Sequence, residues 1–366
     1  MFPATGCLEI ARGGSKFIAN RRIMSYPGMK CGNLYTNENW RYLKRLKTAI
    51  SLIDKPLQRI FSILLSATAS QVSRLIPYRK NLSSGGPAWT VPGFWIPRVH
   101  IQLNVWRTFT NRYKRFLRAM KDVRNPGVRK ISLCNKLKDL ENSPGGFGYI
   151  YEGDSSKIAL ADESVDYVIT DPPYGDSIPY LEFSQVWNEW IGRKPCFKKE
   201  VVISNSPERK KGRANYGNDL ARVFTEIGRV LKTGKWATIF FQNRNLSVWN
   251  FLRLAARQAG LILKAVSFQY PAVISAKSQL APNGSLTGDL VLQFQKCKTI
   301  KATPEKIGDT TYAILESMIT DAVRKYRDKE NSFDLIASDV LVKMWEEECD
   351  FEYGDIGKRI RKKLIR

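Results

Sequence analysis

The apolar and polar positions of the first 123 residues predict three successive helices. Thr36 is placed to cap a first helix that ends near Asp54, with apolar residues recurring at Trp40, Leu43, Leu46 and Ile50. Pro56 suits the first turn of a second helix, which runs to about Ile76. A third helix over residues 98–123 interleaves cations with aromatic residues. The amino-terminal part is therefore expected to be helical.

From residue 148 onward the pattern changes to that of an α/β domain. Val165–Thr170 reads VDYVIT, with the β-branched and aromatic residues of a buried central strand. Further elements follow in the order helix 218–231, turn at Gly234, strand 236–241, helix 247–260, and paired strands 261–268 and 289–294. Helices are expected over 305–328 and 333–348, followed by a basic tail over 358–366. The predicted organisation is an irregular segment 1–33, a helical region 34–147, a catalytic α/β core 148–298 and a helical extension 299–366.

The predicted strand runs directly into Asp171-Pro172-Pro173-Tyr174. Acidic residues at the carboxyl end of such a strand lie where open α/β sheets bind ligands. Each proline fixes φ and removes a backbone donor, which leaves a stiff set of acceptors beside an aromatic ring. Two acceptors, the Asp171 carboxylate and the Pro172 carbonyl, suit an exocyclic amine whose lone pair must be freed for methyl transfer. Tyr174 would stack on a base that has been flipped out of a duplex.

These residues resemble the catalytic motif (Asp/Asn/Ser)-Pro-Pro-(Tyr/Phe) of the class I DNA amino-methyltransferases, in the form usual among adenine N6 enzymes. The run Gly175-Asp-Ser-Ile-Pro-Tyr180 and the turn Arg229-Val-Leu-Lys-Thr-Gly234 extend the resemblance. It implies a Rossmann-like methyltransferase sheet with helical extensions at both ends, and S-adenosylmethionine as cofactor. It also implies that the predicted strand Tyr149–Asp154 ends beside the cofactor, with Gly153 and Asp154 in contact with it.

One part of the family pattern is absent from the sequence. The Gly-rich turn that holds S-adenosylmethionine after a first strand cannot be found, because Gly13-Gly14 and Gly85-Gly86 follow no convincing apolar strand. One interpretation is a split enzyme, in which a second protein subunit carries the Gly-rich loop. The alternatives are a non-catalytic nucleic-acid-binding subunit, an inactive truncated methyltransferase, and a chain that binds the cofactor through unusual residues.

Charge favours a nucleic-acid partner. The chain of 366 residues has 59 Lys and Arg against 34 Asp and Glu, a net charge of +25. The third helix and a later basic stretch supply the predicted phosphate contacts, which are Arg107, Arg112, Lys114, Arg115, Arg118, Lys198, Lys199, Arg209, Lys210 and Lys211. DNA is the expected polymer, an RNA adenine methyltransferase is the alternative, and a role in restriction, regulation or defence stays open.

Other chemistries find little support in the sequence. Six scattered cysteines and a single histidine, His100, speak against a zinc site and a disulfide scaffold, and no metal is expected. No signal peptide is recognisable, and the longest apolar stretch, residues 60–69, is too short to span a membrane. A cytoplasmic location without membrane attachment is therefore expected.

Overall fold

A computed structural model of the protein describes residues 3–4, 9–78, 93–124, 131–141, 146–270, 288–298, 309–329, 332–347 and 354–364. The chain divides into two compact units. The helical unit comprises Met1–Glu152, Pro179–Glu200 and Ser204–Lys210, and the sheet unit comprises Gly153–Ile178, Val201–Ile203 and Lys211–Arg366. The Asp171–Tyr174 motif belongs to the sheet unit.

Helices dominate the helical unit. They are α1 (Asn37–Ser51), α2 (Lys55–Gln71), α3 (Val105–Val123), α4 (Lys138–Glu141) and α5 (Tyr180–Ile191). Two short strand pairs accompany them, β1 (Pro3–Ala4) antiparallel to β2 (His100–Ile101) and β3 (Ser132–Leu133) parallel to β4 (Phe147–Gly148). The α5 helix packs against α2, and both contribute to one apolar core.

Local capping explains where these helices begin. The Thr36 hydroxyl accepts from the Asn39 backbone N–H at 3.2 Å, which confirms the predicted cap of α1, and Pro56 lies in the first turn of α2 as predicted. The predicted start of α3 at residue 98 is wrong. The Asn104 side chain accepts from the Arg107 backbone N–H at 2.9 Å and starts the helix at Val105 instead.

The sheet unit contains a mixed sheet of four described strands. These are β5 (Val165–Thr170), β6 (Leu231–Phe241), β7 (Leu261–Gln269) and β8 (Asp289–Lys296), in the spatial order β5-β6-β8-β7. β5 is parallel to β6, and β8 is antiparallel to both of its neighbours, which confirms the predicted closing pair of strands. Its helices are α6 (Arg213–Val230), α7 (Leu246–Gln258), α8 (Asp309–Tyr326), α9 (Ser332–Glu346) and α10 (Ile356–Leu364).

Buried apolar side chains at every second position of β6 show which face of the sheet is covered by helices. Ala237, Ile239 and Phe241 are fully buried in the core of the sheet unit. They lie opposite Phe294, Leu292 and Leu290 of β8, and the helices of the unit contribute to the same apolar cluster. A mixed α/β architecture is therefore confirmed for this unit. No helix in the described ranges combines the length and apolar character needed to cross a membrane.

Two predictions about strands are wrong. β5 is not a buried central strand, because within the described ranges it pairs with β6 alone, leaving Tyr167 48% and Ile169 70% exposed. The predicted strand Tyr149–Asp154 is also missing, since this segment forms no ladder and only Phe147–Gly148 before it pairs, with β3. The described sheet therefore has an open edge at β5. Gly85-Gly86, which is not expected to form a cofactor turn, lies outside the described residues.

Candidate functional site

The motif Asp171–Tyr174 leaves the carboxyl end of β5, where the parallel strand β6 also ends. Because β8 runs antiparallel to β6, its first residue, Asp289, lies at the same end of the sheet. The Asp171 residue is exposed and Pro172 is buried. The site is therefore built from strand ends of one unit.

Two carbonyls of the motif are occupied by hydrogen bonds from the fold. Pro173 O accepts from the Tyr216 hydroxyl of α6 at 2.8 Å and from the Gly175 N–H at 2.9 Å. Tyr174 O accepts from Asn243 Nδ2 at 2.8 Å. The Pro172 carbonyl, by contrast, receives no hydrogen bond from any described residue. The fold thus fixes the second half of the motif, while the Pro172 carbonyl has no described donor and Asp171 is exposed.

The turn after the motif requires glycine. Gly175 has a φ of 62°, and a Cβ there would lie 3.2 Å from both methyl groups of Val248. Its carbonyl accepts from the Ile203 N–H at 3.1 Å, which ties the segment Val201–Ile203 to the turn. A residue with a side chain at 175 would therefore strain the backbone and crowd Val248.

Tyr174 is half-buried, and its ring packs against the core of the sheet unit. The ring centroid lies 5.3 Å from that of Phe241 at an interplanar angle of 69°, and Phe241 packs in turn on Trp249 at 5.0 Å. Burial raises the pKa of Tyr174, and the neighbouring carboxylates of Asp171 and Asp289 raise it further. The phenol is therefore neutral across the physiological range.

Asp289 is a site residue that the sequence patterns did not reveal. Burial raises the pKa of its carboxyl group, the Tyr174 hydroxyl opposes that shift and the Asp171 charge adds to it. The only signal in the sequence was an acid at the start of the last strand, Gly288-Asp289. Its proximity to Asp171 depends on the antiparallel register of β6 and β8, which a sequence pattern does not specify.

Asp154 occupies a local turn. Its Oδ1 accepts from the Ser156 backbone N–H at 3.0 Å and from the Ser156 hydroxyl at 2.7 Å. The following segment is held by Arg229 of α6, which donates to the carbonyls of Ile158 and Leu160, each at 2.8 Å. Through these bonds Arg229 anchors the segment that leads into β5.

The described residues do not fit an S-adenosylmethionine site. Gly153 and Asp154 follow no strand, and the described chain shows no strand that leads into a Gly-rich turn and then a helix. Nothing in these ranges therefore presents a row of backbone N–H groups at a helix start next to Asp171. The described residues also contain no group of three His, Cys, Asp or Glu side chains that could hold a metal ion.

The predicted nucleic-acid contacts of α3 share one helix of the helical unit. Arg107, Lys114, Arg115 and Arg118 are exposed, whereas Phe109 on the same helix is buried against the apolar core. Arg112 is half-buried, and burial together with the charge of Arg115 lowers its pKa. The helix therefore presents a cationic surface opposite its apolar side. Lys198, Lys199 and Lys210 are exposed as well.

Arg209 is not available to a phosphate, contrary to the sequence prediction. Its side chain is 2% exposed and forms ion pairs with Glu182 at 2.9 Å and Glu200 at 2.6 Å. Glu182 also accepts from the Asn20 side chain and from the Ser204 hydroxyl. Lys211 is similarly engaged, in a 2.6 Å ion pair with Asp219. Arg209 is therefore part of the interior of the helical unit.

No family model and no curated protein sequence matches the chain. Among solved structures, an S-adenosylmethionine-dependent methyltransferase from Methanosarcina mazei aligns at 10% identity over 44% of this chain and 75% of its own, with a TM-score of 0.24. A candidate DNA modification methylase from Thermus thermophilus, solved with S-adenosyl-L-methionine, aligns at 13% identity over 47% and 73%, with a TM-score of 0.24. A candidate sarcosine dimethylglycine methyltransferase from Galdieria sulphuraria aligns at 16% identity over 52% and 76%, with a TM-score of 0.23. Scores this low do not establish a shared fold, so the function proposed below rests on this chain's own residues.

Proposed function

We propose that the chain is the base-binding half of a methyltransferase that modifies the N6 amine of adenine in DNA, with S-adenosylmethionine as methyl donor. The observation that carries the proposal is the division of acceptors within the motif. Pro173 O and Tyr174 O are occupied by Tyr216 and Asn243, whereas Pro172 O has no partner among the described residues and Asp171 is exposed. These are the two acceptors that an exocyclic amine with two hydrogens needs.

The residues present can prepare the amine for reaction. An adenine N6 lone pair is delocalised into the ring, so the nitrogen is a poor nucleophile. Hydrogen bonds from its two hydrogens to the Asp171 carboxylate and the Pro172 carbonyl favour a pyramidal nitrogen with a localised lone pair. The Tyr174 ring offers a stacking surface for the flipped base, which repays about 1–3 kcal/mol of the lost base stacking. The rigid turn through Pro173 keeps these groups in register.

The methyl donor is proposed to enter with a second protein subunit, because the described part of this chain lacks a fitting cofactor site. The open edge of β5 supports that arrangement. Its backbone groups face no described strand, and Tyr167 and Ile169 are exposed beside it. Parallel strands are normally buried on both faces, and an exposed apolar edge favours strand addition. A subunit that adds a parallel strand there would bring a Gly-rich loop to the same sheet end as Asp171.

The test uses the protein with its natural partners. A tagged chain is isolated from the cells that make it, incubated with isotope-labelled S-adenosylmethionine and either DNA or RNA, and the products are identified as nucleosides by mass spectrometry. We expect labelled N6-methyladenine in DNA. Asp171→Ala is expected to lower transfer by at least ~10²-fold while DNA affinity stays within about twofold.

A matched variant distinguishes a catalytic role of Asp171 from the general effect of removing one negative charge. Asp166→Asn removes an acid from the same strand, where Asp166 forms ion pairs with Lys232 and Lys235 away from the motif, and is expected to keep transfer. Transfer that persists in Asp171→Ala would reject the catalytic role and leave a nucleic-acid-binding subunit. Label found in RNA alone would instead select an RNA adenine methyltransferase.

A further inference from the structure

A cavity of about 330 Å³ lies on the far side of the sheet unit from β5. It follows the first half of β7, the opposite edge strand, and is bordered by α7 and α9. Its lining includes Arg253, Arg257, Leu261, Lys264, Trp345 and Glu346. The volume is in the range of small-molecule sites, and none of these residues belongs to the proposed methyl-transfer site.

Arg253 is the unusual member of this lining. The residue is 5% exposed, and its Nε and one terminal nitrogen are buried without a hydrogen-bond partner among the described residues. Buried side-chain donors are nearly always paired, and a guanidinium remains charged at every physiological pH. An unpaired buried charge of this kind is strongly unfavourable, so an acceptor is expected in contact with it.

The surroundings indicate the chemistry of that acceptor. Arg257 lies one helical turn after Arg253, and Lys264 of β7 adds a third cation to the lining, against the single exposed acid Glu346. Leu261, Leu263 and Trp345 supply an apolar wall. We propose that this cavity binds a small molecule bearing an oxyanion, a phosphate or a carboxylate group, through the planar fork of Arg253. The proposal is independent of methyl transfer.

The experiment is thermal unfolding of the full chain in rising sodium phosphate or sodium acetate, each compared with sodium chloride at equal ionic strength. A saturable rise in melting temperature, of about 4 °C or more at a hundredfold excess over Kd, is expected with one of the two probes. A rise with phosphate alone indicates a phosphate ligand, and a rise with acetate alone indicates a carboxylate ligand. Equal curves in all three salts would reject the site.

Two variants make the test specific. Arg253→Met keeps the side-chain volume and is expected to abolish the rise, while the exposed control Arg327→Met keeps it. In anion-free buffer Arg253→Met is expected to melt no lower than the original chain, because an unpaired buried charge has been removed. A clear fall there would mean that the chain already neutralises Arg253, and the proposal would be wrong. Should that variant fail to fold, the exposed Lys264→Gln must still lower the affinity for phosphate or acetate several-fold. An unchanged affinity would overturn the site.

Discussion

The hydroxyl of Tyr216 donates a 2.8 Å hydrogen bond to the carbonyl of Pro173. Tyr216 is fully buried on α6, so this bond ties the proline turn to a helix at a sequence separation of 43. Burial raises the pKa of Tyr216, and the phenol therefore stays a donor throughout the accessible pH range. The position of the motif depends on this helix as well as on β5.

Replacing Tyr216 with phenylalanine should weaken the site more than the fold. Pro173 O keeps its bond from Gly175 N, so we expect a loss of about 1 kcal/mol in the free energy of unfolding. Transfer to DNA should fall further, because the turn gains freedom. Urea unfolding and the methyl-transfer assay measure the two effects. Tyr42→Phe on the exposed side of α1 is the control. Equal losses of stability and transfer in both variants would contradict a role of the Tyr216 hydrogen bond in holding the turn.

Asn243 supports the motif from the connection between β6 and α7. Its Nδ2 donates to Tyr174 O at 2.8 Å, its Oδ1 accepts from Asn245 N at 2.6 Å, and its own carbonyl accepts from Trp249 Nε1 at 2.8 Å. Asn243→Asp keeps the shape of the side chain but replaces the Nδ2 donor by a carboxylate oxygen that faces the Tyr174 carbonyl. We expect it to cost about 2 kcal/mol of stability, more than Asn243→Ser, measured by chemical denaturation. The reverse order would show that side-chain volume matters more than the donor.

The features that the sequence predicted correctly depend on neighbours in the chain. Thr36 caps α1 through an N–H three residues away, and the short apolar segments 261–268 and 289–294 form the closing strands that the family resemblance implied. The Asp171–Tyr174 turn also follows from local rules, because two prolines end a strand. Each of these signals is contained within a few residues.

The features that were missed depend on partners far away in sequence. The acids that bury Arg209 lie 27 and 9 residues before it, and a run of cations gives no hint of them. The composition of VDYVIT indicated a central strand, yet no described strand occupies its second edge. Burial of a charge and occupation of a strand edge are both properties of the assembled sheet and helices.

Arg209 should contribute far more to stability than Lys198, although both belong to the same basic stretch of the sequence. Arg209→Met leaves Glu182 and Glu200 buried without their cation, so we expect a loss of about 3–5 kcal/mol in unfolding free energy. Lys198→Met removes an exposed charge and should change stability by less than about 0.5 kcal/mol. Denaturation curves of the two variants decide this. Similar stabilities would mean that the ion pairs do not hold the interior together.

The cations of α3 should contribute to the salt dependence of DNA binding. Changing Arg107, Lys114 and Arg118 together to glutamine should lower the slope of log K against log salt by up to about 2–3, at ~0.9 per lost phosphate contact. Fluorescence anisotropy at several salt concentrations gives the slope. The control exchanges the exposed Arg41, Lys55 and Arg59 for glutamine, an equal charge change on α1 and α2. Equal slopes in both variants would reject a specific role for α3.

Asp289 should make the sheet unit less stable as the pH rises. Its pKa is raised in the folded protein, chiefly by burial, so its favourable contribution is complete below the unfolded-state pKa of ~3.9 and is lost as the pH passes the folded value. Asp289→Asn stays neutral and should therefore be more stable than the original chain near pH 7, with the difference vanishing in acid. Asp166→Asn should change stability near pH 7 in the opposite direction. Lys232 lowers the pKa of Asp166 in the folded protein, so removing this carboxylate should make the protein less stable near pH 7. Thermal unfolding of both variants and of the original chain between pH 3 and pH 8 tests the two expectations. If both variants shift the melting temperature near pH 7 in the same direction, the environment assigned to Asp289 is wrong.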